Sequence, residues 1–335
     1  MSLEPAKVPT VYTVGSPRRG ASILKVFPKW AEALGLQADI KAINLLPHAP
    51  PDEYRKTAQF LKGDPLSLGA FVTTHEWEMF KACRDIFDCV DPFGEKLKEV
   101  SCISKKDGKF SAHAKDPIAS GLALEAFVPS NFWKENGGEV LLLGASGSSL
   151  AIAQYFALKG FGGNVPKRIT IANRSEQSLF SAQEALQELC DRVEFRFILI
   201  PTLDGADRLI ATLPPYSLII NATEADKGVP RSPTTSAVSY PRNCLIWEID
   251  YWGDLLFMKQ AQQQKKMLYI KDGWMYFIYN WGRFIEQVFH IEIDLLTLDK
   301  LSSIARVIKR KQIVMNNIEW AEGVAVDFDF RIGLS

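Results

Sequence analysis

Cysteine is scarce and odd in number. The 335 residues hold five, Cys83, Cys89, Cys102, Cys190 and Cys244, with no C-x-x-C among them. This argues against a disulfide framework or a clustered zinc site, and it favours a reducing compartment such as the cytoplasm. Excess charge of either sign is also lacking, since Lys+Arg and Asp+Glu both number 39. Without a basic excess to neutralise phosphates, nucleic acid is not an expected partner. No apolar run approaches the ~18 residues of a membrane span. The first residues, MSLEPAKVPTVYTVG, lack the basic and apolar regions of a signal peptide, so no membrane is expected. The 22 Gly and 18 Pro are ordinary, which excludes collagen-like and low-complexity chains. No repeat of solenoid period occurs. With 47% hydrophobic and 23% charged residues, the chain can bury a core. Its length suggests two or three domains of roughly 100–200 residues each.

The first ~125 residues alternate strand and helix patterns. VPTVYTVG is a strand ending at Gly15, residues 23–36 have helical spacing, and ADIKAINLLP is a second strand. Residues 52–62 are helical, LGAFVTT is a strand entering a helix near His75, and two strands flank a turn at Lys106-Asp107-Gly108. Residues 118–136 have a helical pattern that stops at Gly137-Gly138. Six buried-strand candidates follow, at 139–143, 168–172, 193–199, 217–221, 244–249 and 266–270, separated in part by helices near 147–159, 175–190 and 254–265. That rhythm predicts an open, doubly wound parallel sheet with ligand at the carboxyl ends of its strands. Helices are expected at 274–289 and 296–310, then a tail with alternating VAVDFDFRI. The α/β organisation is therefore an N-terminal domain over 1–125, a Rossmann-like domain over 126–273, and C-terminal helices over 274–335.

The strongest local signal is EVLLLGASGSSLAIAQYFALKG, in which a buried strand runs into Gly144-Ala145-Ser146-Gly147-Ser148-Ser149 and then a helix ending at Gly160. Glycines at such a turn let the backbone approach a diphosphate, which the helix start holds through free N–H groups and a partial positive charge. Ala151 is small enough for helix and strand to pack. The spacing is G-x-x-G-x-x-x-A rather than G-x-G-x-x-G, and by itself it also suits an ordinary Ser-capped helix. The next strand ends in ITIANRS. An NAD-selective sheet commonly has an acid there. Here Asn173, Arg174 and Ser175 stand in its place, and Arg174 offers a charged planar fork to a 2′-phosphate. Arg174 is thus an NADP clamp or a surface arginine. Asn221-Ala222-Thr223 closes the fourth strand, either lining the cofactor or forming a polar turn.

The order of these pieces resembles the shikimate/quinate dehydrogenase family. GASGSSLA, NRS, INAT, WEIDY and KDGWM carry the resemblance over 144–275, and VGSPRRGAS, FVTTHEW, EVSCIS and HAKDP fall where the family's substrate segments fall. It covers about residues 15–290. It implies a substrate domain facing an NADP-binding domain across a cleft, a C-terminal helix returning to the first domain, and hydride transfer between NADP and a ring hydroxyl of a cyclic polyhydroxy acid. It places Ile249 and Gly273 beside the cofactor with the three segments above.

The substrate half departs from the family. Of two expected serines Ser22 matches and Gly20 replaces the other; Thr73 matches, but Phe71 stands for an asparagine. The catalytic lysine position reads Trp77, or Glu76 with one deletion. Ser101 stands for a substrate-binding asparagine, Asp116 for the lysine's aspartate partner, Tyr251 for a tyrosine of the fifth strand, and Tyr279, beside Asn280, for the glutamine of the returning helix. Shikimate itself is therefore not the expected substrate. For the missing acid/base group, His75 is the first candidate, paired with Asp116, because imidazole titrates near neutrality. Lys115 is the second, with a surface or substrate-carboxylate role as its alternative. Lys81 reads as solvated, and His113, two residues before Lys115, is a weaker candidate. Glu76 reads as a partner of His75 or a solvent-facing residue of a first helical turn, and Trp77 as a cleft-narrowing or core aromatic.

Three functions remain. The first is an NADP-dependent alcohol/ketone oxidoreductase on a cyclic polyol or keto acid, with a small-molecule substrate, no metal, and a homodimer as an option. The second is a non-catalytic NADP-binding sensor or partner-binding relative. The third is a different Rossmann oxidoreductase with a nucleophilic cysteine in its first domain, against which Cys83, Cys89 and Cys102 read as buried and lack a basic pair to lower a thiol pKa.

Overall fold

The computed structural model describes residues 3–15, 21–46, 49–158, 164–187, 189, 193–223, 232–251, 253–264 and 266–321. Gly20, Gly160, Cys190 and the alternating tail lie outside the described residues. The first half runs β1 (Thr10–Gly15), α1 (Ala21–Leu34), β2 (Asp39–Asn44), α2 (Pro51–Gly63), β3 (Ser67–Val72), α3 (Glu76–Cys83), β4 (Cys89–Val90), α4 (Pro92–Leu97), β5 (Cys102–Lys106), β6 (Lys109–His113), α5 (Asp116–Glu125) and α6 (Phe132–Asn136). The second runs β7 (Val140–Leu143), α7 (Gly147–Ala157), β8 (Arg168–Asn173), α8 (Glu176–Leu186), β9 (Glu194–Leu199), α9 (Leu203–Ala211), β10 (Leu218–Asn221), β11 (Leu245–Glu248), α10 (Leu256–Gln262), β12 (Tyr269–Lys271), α11 (Trp274–Phe289) and α12 (Leu295–Ala321).

Two six-stranded sheets result. The first has the order β2-β1-β3-β5-β6-β4 and is mixed: β1 is parallel to β2 and β3, while β5 is antiparallel to β3 and β6. The β5–β6 hairpin turns at Asp107-Gly108, both in the left-handed region that a tight hairpin turn demands. The second sheet, β12-β11-β10-β7-β8-β9, is parallel throughout. This is the doubly wound order, in which strand direction out of the sheet reverses between β7 and β10. Val140, Leu141, Leu142 and Leu143 of β7 are all fully buried, because helices cover both faces of a parallel sheet.

The helical pattern expected over 118–136 is two helices, not one. α5 ends at Glu125, Pro129 intervenes, and Asn131 takes a left-handed conformation before α6 begins. Proline withholds an N–H and disfavours helix in the residue before it. The short elements β4 and α4 carry too little periodicity to be expected from sequence, and the nine-residue α9 was not expected although it is amphipathic.

α11 bridges the two halves. Its Trp281 and Phe284 join a core with Val11, Phe27, Trp30 and Phe71, the Trp281 and Phe71 ring centroids being 4.6 Å apart. Its Tyr276 faces the other core, edge-on to Trp247 of β11 at 6.0 Å. α12 covers α1, where Trp30 Nε1 donates to the Leu301 carbonyl at 2.8 Å. Phe284 is fully buried, and truncating such a side chain costs about 3–5 kcal/mol. Urea denaturation of Phe284→Ala is expected to show a loss of that size, whereas a change under about 1 kcal/mol would mean that α11 is not a shared core element.

Candidate active site in the cleft between the sheets

The carboxyl end of β7 meets that of β10 at the point where the second sheet reverses. Gly144 leaves β7 with φ +109°, and a Cβ there would lie 2.5 Å from the Ala222 carbonyl oxygen. Only glycine fits so close an approach. Ser146 then caps α7 by accepting from Ser149 N–H, and Ser149 Oγ donates to the Gly144 carbonyl at 2.7 Å. The turn is thus braced from within, and the first N–H groups of α7 have no earlier carbonyl to donate to. At the end of β8, Ser175 caps α8 and the Asn173 Oδ1 accepts from Arg174 N–H at 2.9 Å. Arg174 is exposed.

A cavity of about 450 Å³ runs from this edge to the first half of the chain. Gly144, Ala145, Ser146 and Gly147 line one wall, with Asn173, Arg174, Ser175, Ala222 and Thr223. Thr74, Glu76, Trp77, Glu99 and Asp116 line the other. The walls touch, because a Cβ on Gly147 would lie 2.9 Å from Glu76 Oε2. The Glu76 carboxyl therefore rests on the glycine-rich loop, while its Oε1 accepts from Thr74 N–H at 2.9 Å. Thr74 holds φ +74°, a strained conformation for a β-branched residue.

Glu76, Glu99 and Asp116 are all buried. Burial, and then the charge of Asp116, pushes the Glu76 carboxyl up to about 8. Glu99 is raised well above the usual carboxylate range for the same two reasons, with Glu76 adding to them. At neutral pH the cluster holds protons, as like charges in one dry site must.

Several residues singled out in the sequence do not line this cleft, and His75 is the main correction. Its ring is buried, with Nδ1 3.0 Å from Tyr54 Oη and Nε2 3.3 Å from the Leu45 carbonyl. It points into the first sheet's core from the N-cap position, just before α3. Glu76, the first residue of α3, points into the cleft instead. Ser101 is corrected as well. Its Oγ accepts from Lys115 N–H at 2.7 Å and Asp116 N–H at 3.2 Å, so it caps α5 and positions Asp116. The Asn221 amide is consumed internally, its Nδ2 donating to both oxygens of Glu248 (3.0 and 2.9 Å) and its Oδ1 accepting from Thr223 N–H and Oγ1. It shapes the turn, while Ala222 and Thr223 face the cavity. Burial holds Glu248 up at about 8.

Other assignments meet without lining this cavity. Ser22 Oγ and Tyr251 Oη are 3.0 Å apart, and Tyr251 packs on Phe277. A Cβ on Gly273 would lie 1.6 Å from the Ile249 carbonyl, so these two backbones interlock. Thr73 packs on Gly15, and Tyr279 is partly buried against both cores. Ser148 pairs with Tyr276. Lys115 is half-buried beside Asp91 and Cys102. Lys81 lies over the Trp77 ring at 4.6 Å, and His113 contacts Ser104 at 2.9 Å. Lys81 is exposed, as expected. Cys83 and Cys102 are buried as expected, and burial pushes the Cys83 thiol up to about 12. Cys89 is exposed, contrary to its apolar setting in the sequence, because β4 is a two-residue edge strand. Thr74, Glu99, Gln154 and Glu248 went unnoticed in the sequence. Only the WEIDY motif held a hint, for Glu248.

The fold and cleft define a two-domain α/β protein with a cavity at the switch point of a doubly wound parallel sheet. No family model matches the chain. It is 28% identical over 164 residues to the shikimate dehydrogenase (NADP(+)) of Lactococcus lactis subsp. cremoris (strain MG1363), covering 49% of this chain and 54% of that one. The chain thus spans about half the length of the curated relative it matches. Solved structures extend the likeness over nearly all of it. A shikimate dehydrogenase in complex with NADP+ aligns with TM-score 0.65 and 21% identity, covering 92% of this chain and 98% of that chain. The quinate dehydrogenase from Corynebacterium glutamicum in complex with NAD aligns with TM-score 0.67 and 15% identity, covering 89% and 98%. The chain has the fold of the shikimate and quinate dehydrogenases and is a divergent sequence relative of one of them.

Glu76 sets a pH dependence of stability. A glutamate in the unfolded chain ionises near ~4.3, against about 8 in the folded protein. Between those values the folded state keeps a proton the unfolded chain has lost, so stability is full below the lower value and is lost as pH rises through the upper. The melting temperature is expected to fall from pH 5 to 8, and to fall less in Glu76→Gln, which has no charge to develop. Equal slopes in the two proteins would contradict the buried, protonated carboxyl.

Proposed function

We propose that the protein is an NADP(H)-dependent oxidoreductase acting on a hydroxyl or keto group of a cyclic polyhydroxy compound other than shikimate. The carrying observation is the single cavity that joins the Gly144–Gly147 turn and Arg174 to the buried carboxyls of Glu76 and Asp116. The residues fit the dinucleotide. The turn admits no side chain at Gly144 and presents helix-start amides to a diphosphate. Arg174 supplies the cation for a 2′-phosphate, where an NAD-selective sheet would have an acid. When bound, NADP(H) supplies or takes up the hydride.

The chain's own residues handle the proton. Asp116 is held at the start of α5 by the Ser101 hydroxyl on its N–H, and Glu76 is held by Thr74. Two buried carboxyls in one site share protons rather than ionise together. One is thus a general base for a substrate hydroxyl while the other stays protonated and donates to the developing oxygen charge. This pair stands in for the lysine–aspartate pair the resemblance implies. A cofactor-holding protein without chemistry has no need of buried acids beside its phosphate loop. The Cys83 and Cys102 thiols, buried and raised in pKa, are disfavoured as nucleophiles.

NADPH fluorescence titration tests the reading. Saturable binding is expected, and Arg174→Ala should weaken NADPH by about tenfold or more while barely moving NADH, since a charge-assisted bond of ~1.5–3 kcal/mol is lost. Equal loss for both nucleotides would contradict the 2′-phosphate assignment. On a reducible cyclic ketone that the wild type turns over, Asp116→Asn should lower kcat by about 10²–10⁴-fold, the usual contribution of a positioned proton-transfer group. Full activity in that variant would remove Asp116 from the chemistry.

A further inference from the structure

The Glu76 carboxyl comes from the first half of the chain but is seated on the glycine-rich turn of the second. Gly147 opens α7, and the side on which a side chain would stand is filled by Glu76, whose Oε2 and Oε1 lie 2.9 and 3.2 Å from the Cβ position. A glycine at that place in a dinucleotide-binding turn lets the backbone approach the pyrophosphate. The carboxyl thus lies on the face of the turn that a diphosphate would approach, and it is fastened there. Glu76 is 8% exposed, and its Oε1 accepts from the N–H of Thr74, whose backbone is held at φ +74°.

The groups around it are acidic or neutral. Asp116 faces it from the start of α5, Glu99 from the segment before β5, and Glu78 from α3 itself. The phenols of Tyr54 on α2 and Tyr276 on α11 are pushed up, first by burial, and stay neutral. His75 turns its ring to Tyr54 and the Leu45 carbonyl, and Arg174 lines the cavity from the end of β8. A diphosphate brings more negative charge to this dry, acidic corner, so an ionised carboxyl beside it would meet like charge on both sides. A protonated carboxyl instead has an O–H to donate.

We infer that Glu76 is a cofactor-binding residue that works as a neutral acid, donating its O–H to the NADP(H) diphosphate, so that the cofactor binds together with a proton whenever Glu76 is ionised beforehand. This rests on the oxidoreductase reading and divides the roles of its two acids. Glu76 keeps its proton on the phosphate side, which leaves Asp116 as the base for the substrate hydroxyl. Linkage is reciprocal: a proton that strengthens cofactor binding is itself held more tightly in the complex. The carboxyl without cofactor stands at about 8, and the diphosphate moves it further up. Affinity is therefore full below that value and falls as pH rises through it.

NADPH titration of the full chain from pH 7 to pH 9 tests it, by fluorescence and by calorimetry in two buffers of different ionisation enthalpy. The 2′-phosphate is largely ionised over this range, its second pKa being near ~6. Kd is expected to rise about tenfold between those pH values, as titration of one group at the Glu76 value gives. At pH 8.5 more than about half a proton should be taken up per NADPH bound. Glu76→Gln keeps the shape and a donor but has no charge to develop, so its Kd should hold within about twofold over the range. The proton count is read on the wild-type chain and does not depend on the variant folding. Binding without proton exchange at pH 8.5 overturns the inference and leaves the dinucleotide site standing. Proton release, as a carboxyl displaced into water would give, does the same, and so does a pH dependence unchanged in Glu76→Gln. No NADPH binding at any pH overturns both.

Discussion

Glu76 begins α3 beside the first sheet and ends against Gly147 at the edge of the second. Much of the cleft depends on that contact. It brings a carboxyl to the floor of a loop whose amides and helix start attract anions, so the group has to be held. Thr74 accepts a strained left-handed backbone to donate its N–H to Glu76. A side chain at Gly147 would have to push the carboxyl aside, because the carboxyl occupies its space. Burial, and then the neighbouring acids, keep protons on the cluster. Strain, close approach and a raised pKa are three consequences of one placement.

The surrounding structure keeps the two walls in register. α11 enters from the Gly273–Ile249 interlock, with Tyr276 in the core of the parallel sheet and Trp281 and Phe284 in the core of the mixed one. α5 carries Asp116 at its start and packs on α7, which starts at the glycine-rich turn. Several side chains that sequence alone presents as ligands have partners within the protein. Ser101 holds α5, Asn221 is spent on Glu248, and Ser22 meets Tyr251.

The doubly wound sheet was legible because most of its strands are apolar runs punctuated by glycine and polar turns; five appear at the expected places, and the sixth, expected at 266–270, is Tyr269–Lys271. The glycine-rich turn and Asn173-Arg174-Ser175 were legible because their backbone demands show in residue type. The acid cluster was not. Glu76, Glu99 and Asp116 are 17 to 40 positions apart in the chain, and only the pairing of β5 between β3 and β6 brings the segments behind them together. His75 misled because an imidazole beside a missing lysine is chemically apt, while one step along a helix start decides whether a side chain faces the core or the cleft. Gln154 gave no signal, since a glutamine among alanines on a buried helix reads as packing.

The most direct measurement is a crystal structure of the protein with NADPH. The account predicts the diphosphate on the amides of residues 145–148, the 2′-phosphate against Arg174, and the nicotinamide facing the cavity that holds Asp116. A dinucleotide seated elsewhere, or one whose nicotinamide is turned away from Glu76 and Asp116, would contradict it.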